Sequence, residues 1–426
     1  MITLRPFKAL RPTREAAPDV AAPPYDVIDT ATAREIGKNP RSLVHITRSE
    51  IHFGKDQDPY SHEVYRSARE NLDEFQKKGI LFEEDRKSYY IYRQIMDGRA
   101  QSGIVGCAAI DDYRDGKIKK HEFTRVDKEA DRINHFYTCE ADTEPVFLFC
   151  RKNDELKDFI NRYTEAHAPE YDLITDDGVT QILWVVGGEG DIREIESIFA
   201  GLDELYIADG HHRTASAYNV GMVKRKENPN YTGEENFNYF MSVVFPADEL
   251  LIMPYNRLVK DMNDLMKDDF VARVTEKFDM EKITLRGDEK SDYTLKLKKI
   301  EPKRRGEFTM IMEDEYYRLI PKKGTFDEAD VVASLDVSIL QENLLEPVLG
   351  IDDPRTNRRI EFFGGVDMLE EIEAKLLVRY RRGLGFLLYP TQIEDIMKIS
   401  DSNLVMPPKS TWFEPKLKSG LFMYKF

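Results

Sequence analysis

The chain has 426 residues and a formal net charge of -16, with 41% hydrophobic and 33% charged residues. Such an acidic protein repels polyanions, so the charge argues against general binding of nucleic acid or of anionic membranes. No stretch approaches the ~18 consecutive apolar residues of a membrane-spanning helix, and the first residues lack the apolar region of a signal peptide. We therefore expect a cytoplasmic protein with two to three domains, or with one core and large insertions.

The cysteine pattern also favours a cytoplasmic protein. Cys107, Cys139 and Cys150 are odd in number and lie in apolar or helical surroundings. No pair of them has the spacing of metal ligands. The pattern predicts buried free thiols in a reducing environment.

In chain order, the first sixty residues contain repeated prolines, which predict extended chain and turns rather than a long helix. Helical spacing and strand-like runs of apolar residues follow. The predicted elements as far as residue 226 are helix 61–78, strands 89–96 and 103–110, helix 124–139, strands 145–150, 172–175 and 179–186, helix 191–199, strand 205–208 and a helix from about 214 to 226.

The sequence pattern changes at about residue 260, where an amphipathic helix is followed by charged strands with many lysines between them. We predict an N-terminal α+β region over 1–259, an inserted α+β subdomain over 260–330, and a segment 331–426 that completes the core. Strands and helices do not alternate regularly enough for a doubly wound fold, so the predicted class is α+β with mixed or antiparallel sheets. The predicted elements are strands 239–245 and 251–256, helix 262–278, strands 308–313 and 316–320, helix 366–378, strand 385–389, helix 391–399 and strand 421–426.

The sharpest motif is the run Asp209-Gly210-His211-His212-Arg213. An apolar strand ends at Asp209, Gly210 permits a tight turn, and a helix follows. Unpaired amide groups at a helix start favour phosphate, and the histidines and Arg213 add further donors. Asp209 is placed to hold a metal ion or to accept a proton from a substrate hydroxyl. The alternative is a plain turn with solvated histidines; we favour function because this combination at a strand-to-helix junction is unusual.

A second charged segment covers residues 119–135. On a helix, Lys128, Arg132 and His135 fall on one face, with Arg125 just before them. Carboxylates alternate with these cations, so the residues alone favour an exposed face with ion pairs between successive turns over a binding site.

Near the C-terminus, Lys409, Ser410 and Thr411 form a plausible contact for a phosphate or carboxylate, and we predict them as substrate-binding residues. The usual signatures of phosphate and hydrolytic enzymes are missing from the chain, including the P-loop, the Rossmann glycine pattern and the protein-kinase loops. A phosphate chemistry here therefore needs a less common scaffold.

Six groups of sequence blocks follow one another along the chain: RPFKALRP with VAAPPYDVI, KHEFTRVDKEADRINH, YIADGHHRTASAY, MPYNR, LQENLLEPVLGIDDPR with RIEFFGG, and MPPKSTWFEPKLKSGLF. In this order they resemble domain-of-unknown-function family 1015, the SerK-like proteins, which are related to the ParB/sulfiredoxin superfamily. The resemblance implies a ParB/sulfiredoxin-like nucleotide-binding core with large insertions. It also implies a kinase that phosphorylates free L-serine to O-phospho-L-serine, with ATP or ADP and Mg²⁺ as cofactors.

Carried over by motif, the resemblance implies Asp209, Glu122 and His211 as catalytic residues, with Asp209 also as the metal ligand. Either Asp209 or Glu122 would be the general base for the serine hydroxyl, and the sequence leaves this choice open. It also moves the 119–135 segment from an exposed face to part of the site. The implied nucleotide- and phosphate-binding residues are Gly210, His212, Arg213, Thr214, His121, Thr124, Arg125, Lys128 and Arg132.

The expected partners are a nucleotide and a small-molecule substrate, without nucleic acid or membrane, in a monomer or homodimer. The main alternative is a ParB-like nucleotide-binding regulator without metabolic turnover. The acidic charge and the lack of a basic helix-turn-helix region weigh against a DNA-bound version. A sulfiredoxin-like repair enzyme ranks last, because it needs a cysteine beside the phosphate loop, and neither 205–221 nor 119–135 contains one.

Overall fold

The computed structural model describes residues 1–365 and 368–426, which form two compact units. The first unit is Met1–Leu250 with the returning segment Pro415–Phe426, and the second is Leu251–Glu414. The predicted boundaries after residues 259 and 330 differ from this division. The reason is strand pairing: strands on both sides of residue 330 share one sheet in the second unit, and only the last twelve residues return to the first.

The first unit is built on a mixed sheet in the order β6-β11-β8-β12-β5-β4-β10-β9, with β1 pairing β5. The pairs β6/β11 and β8/β12 are parallel and the other neighbours are antiparallel, which confirms the predicted α+β class with mixed sheets. The first unit contains these strands: β1 (Leu4–Arg5), β2 (Leu10–Pro12), β3 (Leu81–Glu83), β4 (Tyr89–Met96), β5 (Arg99–Ala109), β6 (Ile118–Lys119), β7 (Ala141–Asp142), β8 (Val146–Cys150), β9 (Tyr171–Ile174), β10 (Thr180–Val186), β11 (Leu205–Asp209) and β12 (Tyr239–Pro246). Of these, β2, β3 and β7 lie outside the mixed sheet.

Helices of the first unit are short in the proline-rich start and longer afterwards, as predicted. The predicted helix 61–78 agrees with the observed one to within one residue at each end. The helices are α1 (Ala17–Val20), α2 (Thr30–Ile36), α3 (Val44–Thr47), α4 (His62–Lys77), α5 (Ile110–Arg114), α6 (Val126–Cys139), α7 (Asp154–Ala166), α8 (Glu189–Ala200) and α9 (His211–Glu227).

Helix α7 is absent from the sequence-based prediction, although its signals are present. The Asn153 side chain accepts a hydrogen bond from Leu156 N at 2.8 Å, which caps the helix start. Leu156, Phe159, Ile160 and Tyr163 are buried at helical spacing and pack in the main core of the unit. The helix ends at Ala166, shortly before Pro169.

The second unit has a sheet in the order β15-β17-β16-β19-β14-β18. Its predicted helix 262–278 begins at residue 267, because Asn263 and Asp264 have positive φ angles of 53° and 59° and form a turn. Residues 366 and 367 of the predicted helix 366–378 lie outside the described residues. The elements are β13 (Leu251–Met253), β14 (Asn256–Val259), α10 (Lys267–Lys277), β15 (Phe278–Ile283), α11 (Tyr293–Ile300), β16 (Phe308–Met312), β17 (Glu315–Pro321), α12 (Asp336–Leu340), β18 (Ile360–Phe363), α13 (Met368–Val378), β19 (Leu384–Leu388), α14 (Ile393–Asp401) and β20 (Trp412–Glu414).

The returning segment closes the first unit with β21 (Tyr424–Lys425), which pairs antiparallel with β7. The predicted strand 421–426 is therefore shorter than expected. Upstream of β21, the segment is held by the sheet: Gln94 of β4 donates from its amide to Lys416 O at 2.9 Å. This anchoring fixes the position of Lys416.

Two expectations about the whole chain can be compared directly with the structure. Cys107, Cys139 and Cys150 are buried free thiols, as predicted, and burial raises the pKa of Cys139 and of Cys150 to about 12. Among the described residues, no helix is both long enough and apolar enough to cross a membrane.

A buried carboxylate at the end of β7 leads to a prediction about stability. Asp142 is 2% exposed, its Oδ2 accepts from Met241 N at 3.0 Å, and burial raises its pKa to about 7. An unfolded aspartate has a pKa of about 3.9. The folded state therefore keeps a proton that the unfolded state loses, so this residue lowers the free energy of unfolding as pH rises from about 4 to about 7.

Replacing Asp142 by asparagine removes this titration while keeping an oxygen acceptor for Met241 N. We expect the stability of Asp142→Asn, relative to the unchanged protein, to rise by about 2 kcal/mol between about pH 5 and 8. Urea unfolding at several pH values measures this difference. Parallel pH profiles for the two proteins would show that Asp142 does not titrate in this way.

Candidate active site

The DGHHR segment joins β11 to α9 through one residue. The register of β11 against β8 shifts between Ile207 and Asp209, a bulge that redirects the end of the strand. Gly210 has a φ of 92°, which an L-residue rarely adopts, and α9 begins directly at His211. The predicted helix start near residue 214 is therefore wrong by three residues, because Gly210 makes the turn alone.

The start of α9 directs backbone amides out of the helix. Thr214 N donates to Gly210 O at 2.9 Å, and the first amides of a helix have no such intrahelical acceptor and carry partial positive charge. The Thr214 hydroxyl also donates to Gly210 O, at 3.0 Å, and Thr214 is fully buried. Its side chain therefore stabilises the turn. An anion site at the amides before it stays a prediction.

Asp209 lies beside this helix start and is surrounded by cations. Its Oδ2 is 3.4 Å from Arg213 Nη2 and 3.8 Å from Lys416 Nζ. Burial acts to raise the pKa of Asp209, but Lys416, Arg213 and His211 together outweigh it and hold the pKa at about 2. Asp209 is therefore an anion throughout the physiological pH range.

Arg213 is only 2% exposed and lies beside Asp209, with Nη2 3.4 Å from Oδ2. Its Nη1 donates to Pro145 O, and its guanidinium group lies over the Cα of Gly210. The structure thus brings Arg213 together with Asp209, as predicted, but in a buried position. A direct contact between Arg213 and a phosphate stays a prediction.

His121 and His211 form an edge-to-face pair with ring centroids 4.5 Å apart. Burial lowers the pKa of His121 to about 4, and burial together with the charge of His121 lowers the pKa of His211 well below its usual value. Both rings are therefore neutral near pH 7. His121 N donates to Nε2 of His211 at 3.4 Å, so the proton of the His211 ring is on Nδ1, which lies 4.0 Å from Glu122 Oε2.

The second histidine of the motif holds the same loop. Arg125 N donates to Nε2 of His212 at 2.9 Å, so His211 and His212 both accept backbone hydrogen bonds from the loop 121–125. Thr124 lies near the end of this loop and donates from Oγ1 to Glu129 Oε2 at 2.8 Å. The predicted proximity of the KHEFTR and DGHHR segments is therefore present, and the two histidines join them.

Two of the predicted cations of α6 point to other partners. Lys128 Nζ lies 3.1 Å from Tyr60 Oη. Arg132 is 4% exposed, forms an ion pair with Asp131 at 2.8 Å, and has its guanidinium carbon 3.9 Å from the centre of the Tyr25 ring. The alternative of an exposed face with ion pairs is therefore wrong for Arg132, which is buried.

The sequence-based prediction missed Lys416 and Glu144. Lys416 belongs to a block that carries the family resemblance, and this was the available signal; its approach to Asp209 depends on the return of the chain after residue 414. Glu144 is 1% exposed, and its Oε1 accepts from Tyr25 N at 2.8 Å and from Ser419 Oγ at 2.7 Å. A single acid in a short connection gave no signal.

The predicted substrate contacts Lys409, Ser410 and Thr411 belong to the second unit. Ser410 is 6% exposed and its Oγ donates to Pro407 O at 2.6 Å, while Lys409 has a positive φ of 61°. The turn is thus well defined within its own unit. The role of these three residues in substrate binding stays a prediction.

The predicted magnesium ion would need carboxylate ligands near Asp209. In the described part of the chain, no group of three or more His, Cys, Asp or Glu side chains could hold a metal ion. Mg²⁺ usually binds one or two protein carboxylates together with phosphate oxygens and water. Asp209, already compensated by Arg213 and Lys416, does not form such a site alone. The predicted Mg²⁺ stays a prediction that requires ligands from a nucleotide.

Comparison with known proteins places the chain in a family. The model of the family described as "Protein of unknown function (DUF1015)" matches residues 4–338. The chain belongs to this family. The predicted membership is therefore confirmed, and no curated protein matches the sequence.

Solved structures with some similarity to this DUF1015 protein include SbnI with a C-terminal truncation from Staphylococcus aureus, at 9% identity and a TM-score of 0.37, covering 75% of this chain and 87% of that one. A free serine kinase in complex with AMP has 14% identity and a TM-score of 0.34, with 75% and 91% covered. A variant of free serine kinase in complex with ADP has 14% identity and a TM-score of 0.35, with 76% and 93% covered.

Proposed function

We propose that this DUF1015 protein is a small-molecule kinase that transfers a phosphoryl group from ATP, or from ADP, to the hydroxyl of free L-serine and gives O-phospho-L-serine. The observation that carries the proposal is the start of α9, where backbone amides, Lys416 and the Asp209 carboxylate lie together beside the loop 121–125. The sequence resemblance to SerK-like proteins supplies the nucleotide and the acceptor.

In this proposal the protein mainly orients the reactants and compensates charge, as in other phosphoryl transfers. The amides at the start of α9 and the ammonium group of Lys416 bind the phosphates of the nucleotide. Arg125, at the exposed end of the loop 121–125, adds a further cation near the helix start. Arg213 and Lys416 keep Asp209 ionised and in place.

Of the two candidates for the general base, the electrostatics favour Glu122. A carboxylate with a pKa of about 2, as in Asp209, is a weak base near neutral pH. The Glu122 side chain is 35% exposed, and His211 presents its Nδ1 proton to it from 4.0 Å. We therefore assign the serine proton to Glu122 and the orientation of Glu122 to His211. The Asp209 carboxylate would hold a Mg²⁺ together with the nucleotide phosphates and so compensate their charge.

An acceptor panel tests the proposal. We expect the purified protein with ATP or ADP and Mg²⁺ to release the lower nucleotide and phosphoserine when free serine is present, and not with alanine as the matched acceptor that lacks a hydroxyl. Phosphoamino acid and nucleotide are both quantified by mass spectrometry. Nucleotide binding without acceptor-dependent turnover would reject the kinase and favour the ParB-like regulator. Absence of nucleotide binding would reject both.

A further inference from the structure

The connection between β7 and β8 has the sequence Thr143-Glu144-Pro145 and was not part of the predicted site. Glu144 is its central acid and is almost completely buried. Its Oε1 accepts from Tyr25 N in the proline-rich turn and from Ser419 Oγ in the returning segment. Glu144 therefore joins two distant parts of the first unit to the connection that precedes β8.

Two buried guanidinium groups interact electrostatically with Glu144. The charges of Arg213 and Arg132 both act on it, against the effect of burial, which raises its pKa. Arg132 forms an ion pair with Asp131, and its guanidinium group lies over the Tyr25 ring. Arg213 donates to the carbonyl of Pro145, the residue next to Glu144. Glu144, Arg132 and Arg213 therefore form a buried cluster of charges that act on one another.

The cluster is incompletely satisfied within the described residues. Arg132 Nη1, Arg213 Nε and Glu144 Oε2 are buried atoms without a hydrogen-bond partner. Arg213 contacts Asp209 only loosely, at 3.4 Å between Nη2 and Oδ2. The charges of Asp26, Asp209 and Glu144 all act on Arg213, so its position depends on the balance among these three carboxylates. Removing one of two paired buried charges leaves the other strongly uncompensated.

We propose that Glu144 is a positioning residue that acts through Arg213 to hold the Asp209 carboxylate at the face of the site. Without the charge of Glu144, Arg213 moves towards Asp209 and draws its carboxylate inwards, away from the phosphates. This inference rests on the proposed kinase function for its kinetic consequence, whereas its structural consequence is independent of turnover.

The informative variant is Glu144→Gln, because glutamine keeps an oxygen acceptor for Tyr25 N and Ser419 Oγ and loses only the charge. Asp142→Asn is the matched control: it neutralises the buried acid at the end of β7, just before this connection, which has no arginine among the charges acting on it. We expect kcat of Glu144→Gln to fall at least about tenfold, because a displaced reacting group costs this much or more. We expect Kd for ADP to stay within about threefold of the unchanged protein.

A purely structural role gives a different result, namely a lower melting temperature with kcat per folded molecule unchanged, and this would overturn the inference. A double-mutant cycle with Arg213→Lys tests whether the effect of Glu144 passes through Arg213. If Glu144 acts through Arg213, adding Glu144→Gln to Arg213→Lys lowers kcat no further, whereas additive losses would reject that route.

NMR of arginine Nε–H groups tests the same inference without turnover. The Arg213 signal is identified by its loss in Arg213→Lys, and because Nε is buried it should exchange slowly with water. We expect this signal to move or broaden in Glu144→Gln and to stay in place in Asp142→Asn. An unchanged signal in Glu144→Gln overturns the inference. Absence of serine-dependent turnover in the unchanged protein rejects the proposed kinase, and this NMR comparison still decides the role of Glu144.

Discussion

Asp209→Asn is expected to lower kcat about 10²- to 10³-fold or more, with the fold intact. Asparagine has the same shape as aspartate and keeps an oxygen near Arg213 and Lys416, but it removes the negative charge. Because Lys416, Arg213 and His211 hold the pKa of Asp209 at about 2, the charge is present at every ordinary assay pH. The loss of activity should therefore be the same from about pH 6 to 9.

The measurement is a steady-state assay with the acceptor found in the panel, together with a thermal melt and ADP titration. Two cations lose their compensating anion in Asp209→Asn, so ADP should bind as tightly as before or more tightly. Asp203→Asn is the matched control, since Asp203 is an exposed acid just before the same strand. Near-normal turnover in Asp209→Asn would remove this residue from the mechanism.

Gly210→Ala is expected to damage both stability and the site. At a φ of 92° an L-residue is strained by about 1–2 kcal/mol. In addition, a Cβ at this position would lie 3.1 Å from Nε and 3.2 Å from Cζ and Nη2 of Arg213. The guanidinium group must shift, so we expect ADP affinity to fall about tenfold as the helix start and Arg213 lose their alignment.

Gly116→Ala separates these two effects. Gly116 also has a positive φ, of 74°, but no atom lies within 4 Å of a Cβ built there. We expect urea unfolding to show a similar backbone cost for both variants, and calorimetry to show weaker ADP binding only for Gly210→Ala. Equal ADP affinity in the two variants would mean that the contact between Gly210 and Arg213 has no role in binding.

The extent to which the sequence predicted this molecule depends on the range of the interactions involved. Helix α4 and strand β4 were predicted nearly to the residue, because periodicity is a local signal, whereas β5 begins four residues before the predicted strand 103–110. The DGHHR junction was also found. Its geometry was misjudged only in that Gly210 forms the turn alone, a consequence of the bulge in β11 that local propensity does not reveal.

The residues that complete the site were harder to predict because they arrive from distant parts of the chain. Lys416 reaches Asp209 only because residues 415–426 return to the first unit. The family resemblance assigned Arg132 to the nucleotide site, yet its environment is decided by Tyr25, more than a hundred residues earlier. The two observed units differ from the predicted division for the same reason, since β19 pairs with β14 and β16 across a long stretch of sequence.

The late return of the chain to the first unit also sets the order in which a newly made molecule can assemble. Synthesis proceeds from the N-terminus, and domains generally fold as units while the chain emerges. The ribosome has released β11 and the start of α9 long before it makes Lys416 and Ser419, with the whole of Leu251–Glu414 in between. In a nascent first unit, Asp209 therefore lacks its contact with Lys416, and Glu144 lacks its hydrogen bond from Ser419. If the protein is the proposed kinase, nucleotide binding is therefore disfavoured until residues 415–426 have joined the first unit.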